Sequence, residues 1–379
     1  MKNDVNIYPN GSLGLIVLKS LESVGEEVDD YLTDWRKEEG ESDGKPTYRI
    51  SNATPRFGTG EGKGILNESV RGKDVYILVD VCNHNITYKL SGKLSYMSPD
   101  EHFQDVKRVI AAIGGKAKKI TVIMPYLYEG RQHRKMARES LDCAMALQEL
   151  INCGASSIIT FDAHDPRVQS AIPLHDFISV KPTYQFLKAL VKTIPDVKID
   201  NDNLAIISPD EGAMDRAVYF SNVIGIDVGM FYKRRDYSKI VNGRNPIVAH
   251  EYLGNDVYGK DVIVLDDMIS SGESMLDVAY QLKNRNAKRV FIMCSFGIFT
   301  NGMDKFDEAY RNGIISKVFT TNLVYQKAEL FEREYYVSVD MSKYIALIID
   351  TMNRENSISS LLNPVDRISK LMHTYGKQQ

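Results

Sequence analysis

Two adjacent carboxylates, Asp266 and Asp267, stand between an apolar run at residues 262–265 and a small, hydroxyl-bearing stretch of Ser270, Ser271, Gly272, Glu273 and Ser274. An amphipathic segment with Met275, Leu276, Val278, Ala279 and Leu282 follows, so the pattern reads as strand, loop and helix. A small turn that opens a helix aims backbone N–H groups and its own hydroxyls at one point, where a phosphate binds. The aspartates would repel that phosphate and need a different partner. Vicinal sugar hydroxyls, which donate hydrogen bonds to carboxylates, or a divalent cation would suit them. A phosphate beside a diol has the chemistry of a ribose 5-phosphate.

Other polar clusters follow apolar runs in the same way. Residues 119–124 run into Pro125 and then Arg131, Gln132, His133, Arg134 and Lys135. Cations so closely spaced at a strand end suit a polyphosphate, and equally describe a solvated basic turn. The run at 157–161 ends in Asp162, Ala163, His164 and Asp165, where the histidine could ligate a metal, fix a phosphate or serve structure alone. Ser208, Pro209, Asp210, Glu211 and Gly212 follow another short run, suited to Mg²⁺ through waters or to N-capping by Ser208 or Asp210. Lys233, Arg234 and Arg235 close a strand near 228–231 and precede about two dozen polar residues, read as a long mobile loop able to close over a phosphoryl group. The glycine-rich stretch from Phe57 to Gly64 fails as a P-loop. Phe57 stands where glycine is required and Gly64 where Ser or Thr must hold the metal, so a hairpin or turn is expected.

The elements that must carry these clusters alternate between strand-like and helix-like patterns from about residue 70 onward. Repeated strand–loop–helix units predict parallel sheets covered on both faces, with ligands at the carboxyl ends of the strands. A chain of 379 residues is long enough for two such domains. Residues 1–50 are expected to be a separate charged segment, a solvated helix or appendage around Trp35. Residues 51–182 and 183–379 are expected to form the two α/β domains. The net charge of −3 argues against a nucleic-acid-coating surface. No stretch approaches a membrane span and Met1-Lys2-Asn3-Asp4 opens no signal peptide. Cys82, Cys143, Cys153 and Cys294 lack C-x-x-C spacing, and read as reduced thiols of a cytoplasmic protein.

Taken in order, the motifs resemble those of the ribose-phosphate diphosphokinase (phosphoribosyl pyrophosphate synthetase) family from about Arg56 to Leu361. The matching stretches are 57–61, 67–75, Arg131-Gln132, Asp162-Ala163-His164, 208–212, Lys233-Arg234-Arg235, the turn after Asp266, Gly297-Ile298-Phe299, Thr321-Asn322 and 355–361. The resemblance implies two tandem phosphoribosyltransferase-like domains with the active site between them. It implies transfer of the diphosphate of Mg-ATP to the 1-hydroxyl of ribose 5-phosphate. By position, Arg131 and Gln132 would hold ATP, while Phe57 and Glu61 would reach adenine from a neighbouring subunit. His164 and Asp210 would serve Mg²⁺. Asp266, Asp267, Ser270, Ser271, Gly272, Glu273 and Ser274 would grip ribose 5-phosphate, and Lys233 and Arg235 would be the catalytic pair. A homo-oligomer, a hexamer in the family, is implied as well.

This chain departs from the family pattern at Thr59, where an aspartate is usual, and at His133, where an acid follows Arg-Gln. It also departs at Phe296, in place of a common histidine, and in the Ser-Ser-Gly-Glu-Ser turn. The alternatives are a non-catalytic regulatory homologue and a type I phosphoribosyltransferase; the latter needs no second α/β domain.

Overall fold

The structure, a computed structural model, describes residues 11–40, 46–235 and 247–376, with the backbone alone at 233–235, 247–250 and 376. The chain forms two α/β units. The first comprises Met1–Pro182, Asn322–Tyr325 and Asp340–Asn363; the second comprises Thr183–Thr321, Gln326–Val339 and Pro364–Gln379. Elements are numbered along the chain.

The first unit is built on five parallel strands in the order β1 (Leu13–Val17), β4 (Asp74–Leu78), β7 (Lys119–Ile123), β8 (Ser157–Phe161) and β9 (Asp176–Val180). Between them lie α1 (Glu22–Glu38), the short pair β2 (Asn52–Ala53) and β3 (Ile65–Leu66), the hairpin β5 (Thr87–Leu90) and β6 (Lys93–Tyr96), α2 (Pro99–Ile113) and α3 (Asp142–Cys153). Every residue of β1, β4 and β8 is buried. Strands so enclosed read as continuous apolar runs rather than alternating ones. Helix α2 starts on a capping box in which Ser98 accepts from the Glu101 N–H and Glu101 accepts from the Ser98 N–H. At the end of β4, burial pushes the Asp80 carboxyl up to about 7 although it accepts the N–H groups of Tyr325 and Cys82.

The N-terminal charged segment is not an appendage. Strand β1 lies at the sheet edge in register with β4, Leu13 opposite Asp74 and Val17 opposite Leu78. Helix α1 buries Val24, Val28 and Leu32, spaced four apart on one stripe, while most of its acidic residues are exposed; Asp29 is buried and accepts from the Tyr48 N–H at 2.8 Å. It packs against α8 (Ser342–Asn353), a return of the distant chain into the same unit. Arg36, only 1% exposed, joins the two: it pairs with Asp350 at 2.8 Å, donates to Asn353 at 2.9 Å and stacks 5.1 Å over the Tyr48 ring. Asn353 in turn donates to Asp74 on β4 at 2.9 Å. The short α9 (Ser359–Leu362) completes this unit.

The second unit holds seven strands in the order β12 (Ile247–Leu253), β11 (Val228–Arg235), β10 (Leu204–Ser208), β13 (Asp261–Ile269), β14 (Arg289–Gly297), β15 (Lys317–Thr321) and β16 (Tyr336–Val339). All pairs are parallel except β11 with β12. Its helices are α4 (Thr183–Thr193), α5 (Met214–Ile224), α6 (Glu273–Asn284), α7 (Asp304–Arg311) and α10 (Val365–Gly376). Successive residues of β13 enter opposite cores. Val262 and Val264 pack with Met275, Ala279 and Phe306, whereas Ile263 and Leu265 pack with Leu187, Ala217 and Phe220.

Two expectations change here. The polar stretch after Arg235 is not one long loop, because β12 returns antiparallel to β11 with Lys233 opposite His250. β12 is the edge strand of this sheet, and residues 236–246 lie outside the described residues. Strand β13 does not stop before the aspartates but runs through them to Ile269.

Arg36→Ala is expected to destabilise the first unit by about 2 kcal/mol, because it empties a buried site between α1 and α8 and takes the buried Asn353 carbonyl's donor away, while Asp350 keeps Arg354. Urea unfolding of the variant tests this; an unchanged midpoint would mean that α1 is a solvated appendage after all.

Candidate active site

The first unit gathers polar groups where β7 and β8 leave the sheet. Beyond β7 the chain turns through Glu129, whose φ of 56° is uncommon for a non-glycine residue, and Gln132 N–H bonds back to the Glu129 carbonyl at 2.8 Å. The Gln132 amide donates to the Ser140 carbonyl at 2.8 Å, so this side chain braces its own loop while Arg131 is exposed. Tyr128 stacks on Phe103 with ring centroids 4.3 Å apart and donates to Asp100 at 2.7 Å, fixing the start of the loop.

Beyond β8, Asp162 is buried with φ 42°, the kind of strained backbone that concentrates at working sites. His164 is exposed, and its ring lies 5.4 Å from that of His133. His133 Nε2 stands 3.5 Å from Asp165 Oδ2. Hydrogen bonds from Arg167 hold the Asp165 carboxyl down at about 2, despite burial. The imidazole–carboxylate contact between His133 and Asp165 carries no signal in the sequence beyond the two residue types.

Phe57, Thr59 and Glu61 occupy a separate turn closed by Phe57 N–H on the Glu61 carbonyl and by an antiparallel bridge of Arg56 with Gly62. This is the hairpin turn expected in place of a P-loop. Phe57 is 54% exposed, with Lys63 Nζ 5.9 Å over its ring, and Thr59 donates to Glu61 at 2.9 Å. Arg56 points inward to Asp105 at 2.9 Å.

In the second unit, the end of β13 carries both aspartates. Asp267 is buried, Asp266 is partly exposed, and the Asp267 N–H donates to Asp266 Oδ1 at 2.8 Å. Burial and the neighbouring Asp267 push the Asp266 carboxyl well up, opposed by Arg216 of α5, whose Nη1 lies 3.7 Å away. A pair in this state favours a ligand that supplies hydrogen-bond donors or positive charge. The sequence does not single out Arg216, because its relation to Asp266 is made by the β10–β13 pairing rather than by spacing along the chain.

The turn after β13 places Gly272 at φ 79° as the N-cap of α6. A Cβ there would meet Phe306 ring atoms at 2.3 and 2.5 Å, so only glycine fits. Ser270 Oγ lies 3.5 Å from Thr300 Oγ1, and Ser271 Oγ accepts weakly from the Glu273 N–H at 3.4 Å. Ser270 thus faces the Thr300 segment, Ser271 faces its own turn, and Ser274 is exposed.

Asp210 follows β10. Its Oδ1 accepts from the N–H groups of Gly212 and Ala213 at 2.9 and 3.3 Å, while Ser208 donates to the Asp210 carbonyl at 2.7 Å. The carboxylate is thus fixed by the turn that leads into α5. Lys233 and Arg235 lie on β11, and their side chains fall outside the described ones. His164 belongs to the first unit and Asp210 to the second. Among the described residues, no three His, Cys, Asp or Glu side chains gather as a metal cage.

Residues 14–154 match the family described as the N-terminal domain of ribose phosphate pyrophosphokinase, and residues 184–322 match the phosphoribosyl transferase domain. The chain is 27% identical over 314 residues to the ribose-phosphate pyrophosphokinase of Vibrio parahaemolyticus, covering 81% of this chain and 90% of that protein. It is 28% identical over 311 residues to that of Aquifex aeolicus, covering 80% and 88% respectively. Among solved structures, phosphoribosylpyrophosphate synthetase from Mycobacterium smegmatis superposes with a TM-score of 0.71 at 20% identity, over 91% of this chain and all of that one. At that identity the superposition speaks for the fold: two phosphoribosyltransferase-like domains with parallel sheets.

Gly272→Ala is expected to cost about 2 kcal/mol or more in the second unit, from positive φ and collision with Phe306 together. A Phe306→Leu background should return part of that loss. Equal unfolding midpoints for wild type and Gly272→Ala would show that the turn has room for a side chain.

Proposed function

The chain belongs to the ribose-phosphate pyrophosphokinase family, and from that premise we propose how its side chains transfer the diphosphate of Mg-ATP to the 1-hydroxyl of ribose 5-phosphate, giving 5-phosphoribosyl 1-diphosphate (PRPP) and AMP. The sugar 1-oxygen bonds to the β-phosphorus, the bond from that phosphorus to the α,β-bridging oxygen breaks, AMP departs with that oxygen, and the hydroxyl proton is released. The observation that carries the site assignment is the Asp266–Asp267 pair beside a glycine-locked turn at the N-terminus of α6.

Asp266 and Asp267 accept hydrogen bonds from the ribose hydroxyls, which supply the donors this partly buried pair favours. The turn of Ser270, Ser271, Gly272, Glu273 and Ser274 takes the 5-phosphate on its N–H groups. Arg131 grips the ATP phosphates, and Gln132 keeps the Arg131 loop in shape. Phe57 and Glu61 meet adenine from a neighbouring copy in a homo-oligomer, which the family pattern makes a hexamer; exposure of Phe57 supports a role toward another molecule. Lys233 and Arg235 neutralise charge on the transferring diphosphate, as such chemistry requires positioning and electrostatics more than covalent catalysis.

Mg²⁺ fits the donors available. Asp210 offers a carboxylate held in place by two backbone N–H groups, and His164 an exposed imidazole able to act through water. A Mg²⁺ ion commonly takes one or two protein groups and completes its shell with waters and substrate phosphates. Bound at either group, it would neutralise charge on the ATP phosphates. No helix among the described residues is long and apolar enough to cross a membrane, and a cytoplasmic location suits an enzyme of ATP and sugar phosphates.

The reading is tested by incubating the protein with ribose 5-phosphate, ATP and Mg²⁺ and following AMP and PRPP together; equal amounts of both are expected. Ribose 5-phosphate binding without either product would point to a non-catalytic regulatory homologue instead. Lys233→Ala is expected to lower kcat by about 10²–10³, the scale of losing one preorganised charge contact, with ribose 5-phosphate affinity nearly unchanged. Near-normal turnover in that variant would remove Lys233 from the chemistry.

A further inference from the structure

The turn assigned to the 5-phosphate carries an acid. Glu273 is the first residue of α6, next to the N–H groups that would receive the phosphate. A carboxylate is at home at a helix N-terminus, where the dipole favours negative charge. Glu273 is therefore a competitor, within the chain itself, for the anion's own place, and its charge would also repel an incoming dianion.

The structure answers that acid from outside the turn. Lys305 Nζ, on the first turn of α7, donates to Glu273 Oε1 at 2.7 Å and holds the Glu273 carboxyl below its usual range. The segment leading into α7 is bound to the turn along its length. The N–H groups of Ile298 and Phe299 donate to the Ile269 carbonyl at 2.9 and 3.1 Å, and the Thr300 N–H donates to the Ser270 carbonyl at 2.9 Å. Phe306, the residue after Lys305, fills the space that a side chain on Gly272 would need. Lys305 is thus delivered to Glu273 by a fixed frame, although the ion pair itself is exposed.

We propose that Lys305 is a positioning residue of the ribose 5-phosphate site: its ammonium draws the Glu273 carboxylate aside and cancels its charge, so that a turn carrying an acid still accepts a phosphate dianion. This rests on the assignment of the turn made above. The ion pair contributes little to stability, as exposed pairs do. Its effect lies in what the turn can bind.

Titration calorimetry with ribose 5-phosphate, without ATP, tests the proposal. Lys305→Met is expected to weaken binding about tenfold at low salt, a change worth about 1.4 kcal/mol, and less as salt screens the exposed carboxylate. The double variant Lys305→Met with Glu273→Gln should bind severalfold more tightly than Lys305→Met alone, a rescue that a folding defect would not show. In turnover assays Lys305→Met should raise KM for ribose 5-phosphate and leave kcat within about twofold. Unchanged binding by Lys305→Met, or a double variant as weak as the single one, overturns the proposal while leaving the turn's assignment standing. A wild-type protein that does not bind ribose 5-phosphate overturns both.

Discussion

A parallel sheet buried on both faces has one place for polar chemistry, and the second unit is organised by that constraint. β13 lies between β10 and β14, so its backbone groups are satisfied sideways, and its apolar residues divide between two cores. Charge can appear only where the strand leaves the layer. The β13–β14 pairing continues past that point, with Asp266 opposite Cys294, Met268 opposite Phe296 and Ile269 opposite Gly297. The two carboxylates are therefore positioned by a strand ladder rather than by a loop. Few devices fix a carboxylate as firmly.

That firmness has an electrostatic consequence, because each charge at a strand end needs a partner that does not depend on loop motion. Asp266 has Arg216 from α5, Asp165 has Arg167 and faces His133, and Glu273 has Lys305 from α7. At the Asp266–Asp267 pair two vicinal carboxylates stand side by side, with the Arg216 guanidinium 3.7 Å from Asp266. Neutral hydrogen-bond donors would solvate these carboxylates without cancelling their charge, whereas a cation would cancel it.

The strands and the residues at their ends were legible in the sequence because both rest on local pattern: apolar runs, small turns and cations at fixed spacing. The glycine at 272 was legible as part of a turn, whereas its contact with Phe306 was not, because the two residues are brought together only by folding. The segment before residue 50 was misread for a definite reason. Helix α1 carries so many acidic residues that its charge obscures the stripe of Val24, Val28 and Leu32, and its partner α8 lies some three hundred residues away. Strand β12 opens on a short apolar run, Ile247-Val248-Ala249, broken by His250 and Glu251 and preceded by polar residues, so it stands out less than the fully apolar strands. Arg216 and Lys305 belong to the same class of omission: neither lies in a motif, and the contacts of Arg216 with Asp266 and of Lys305 with Glu273 are made only by folding.

The polar departures from the family pattern gain sense from those contacts; Phe296 is apolar and stands apart from them. Thr59 donates to Glu61 within its own turn, His133 faces Asp165, and Glu273 is met by Lys305. In each case the changed residue has a polar partner inside the same unit. Such partners limit what a substitution does to the rest of the fold, since an unpaired polar group would otherwise have to be solvated or stripped of water at a cost. The β13–β14 ladder holds the two carboxylates, and Gly272, packed against Phe306, holds the turn that follows them. Substitutions at side chains outside those two devices leave this framework in place.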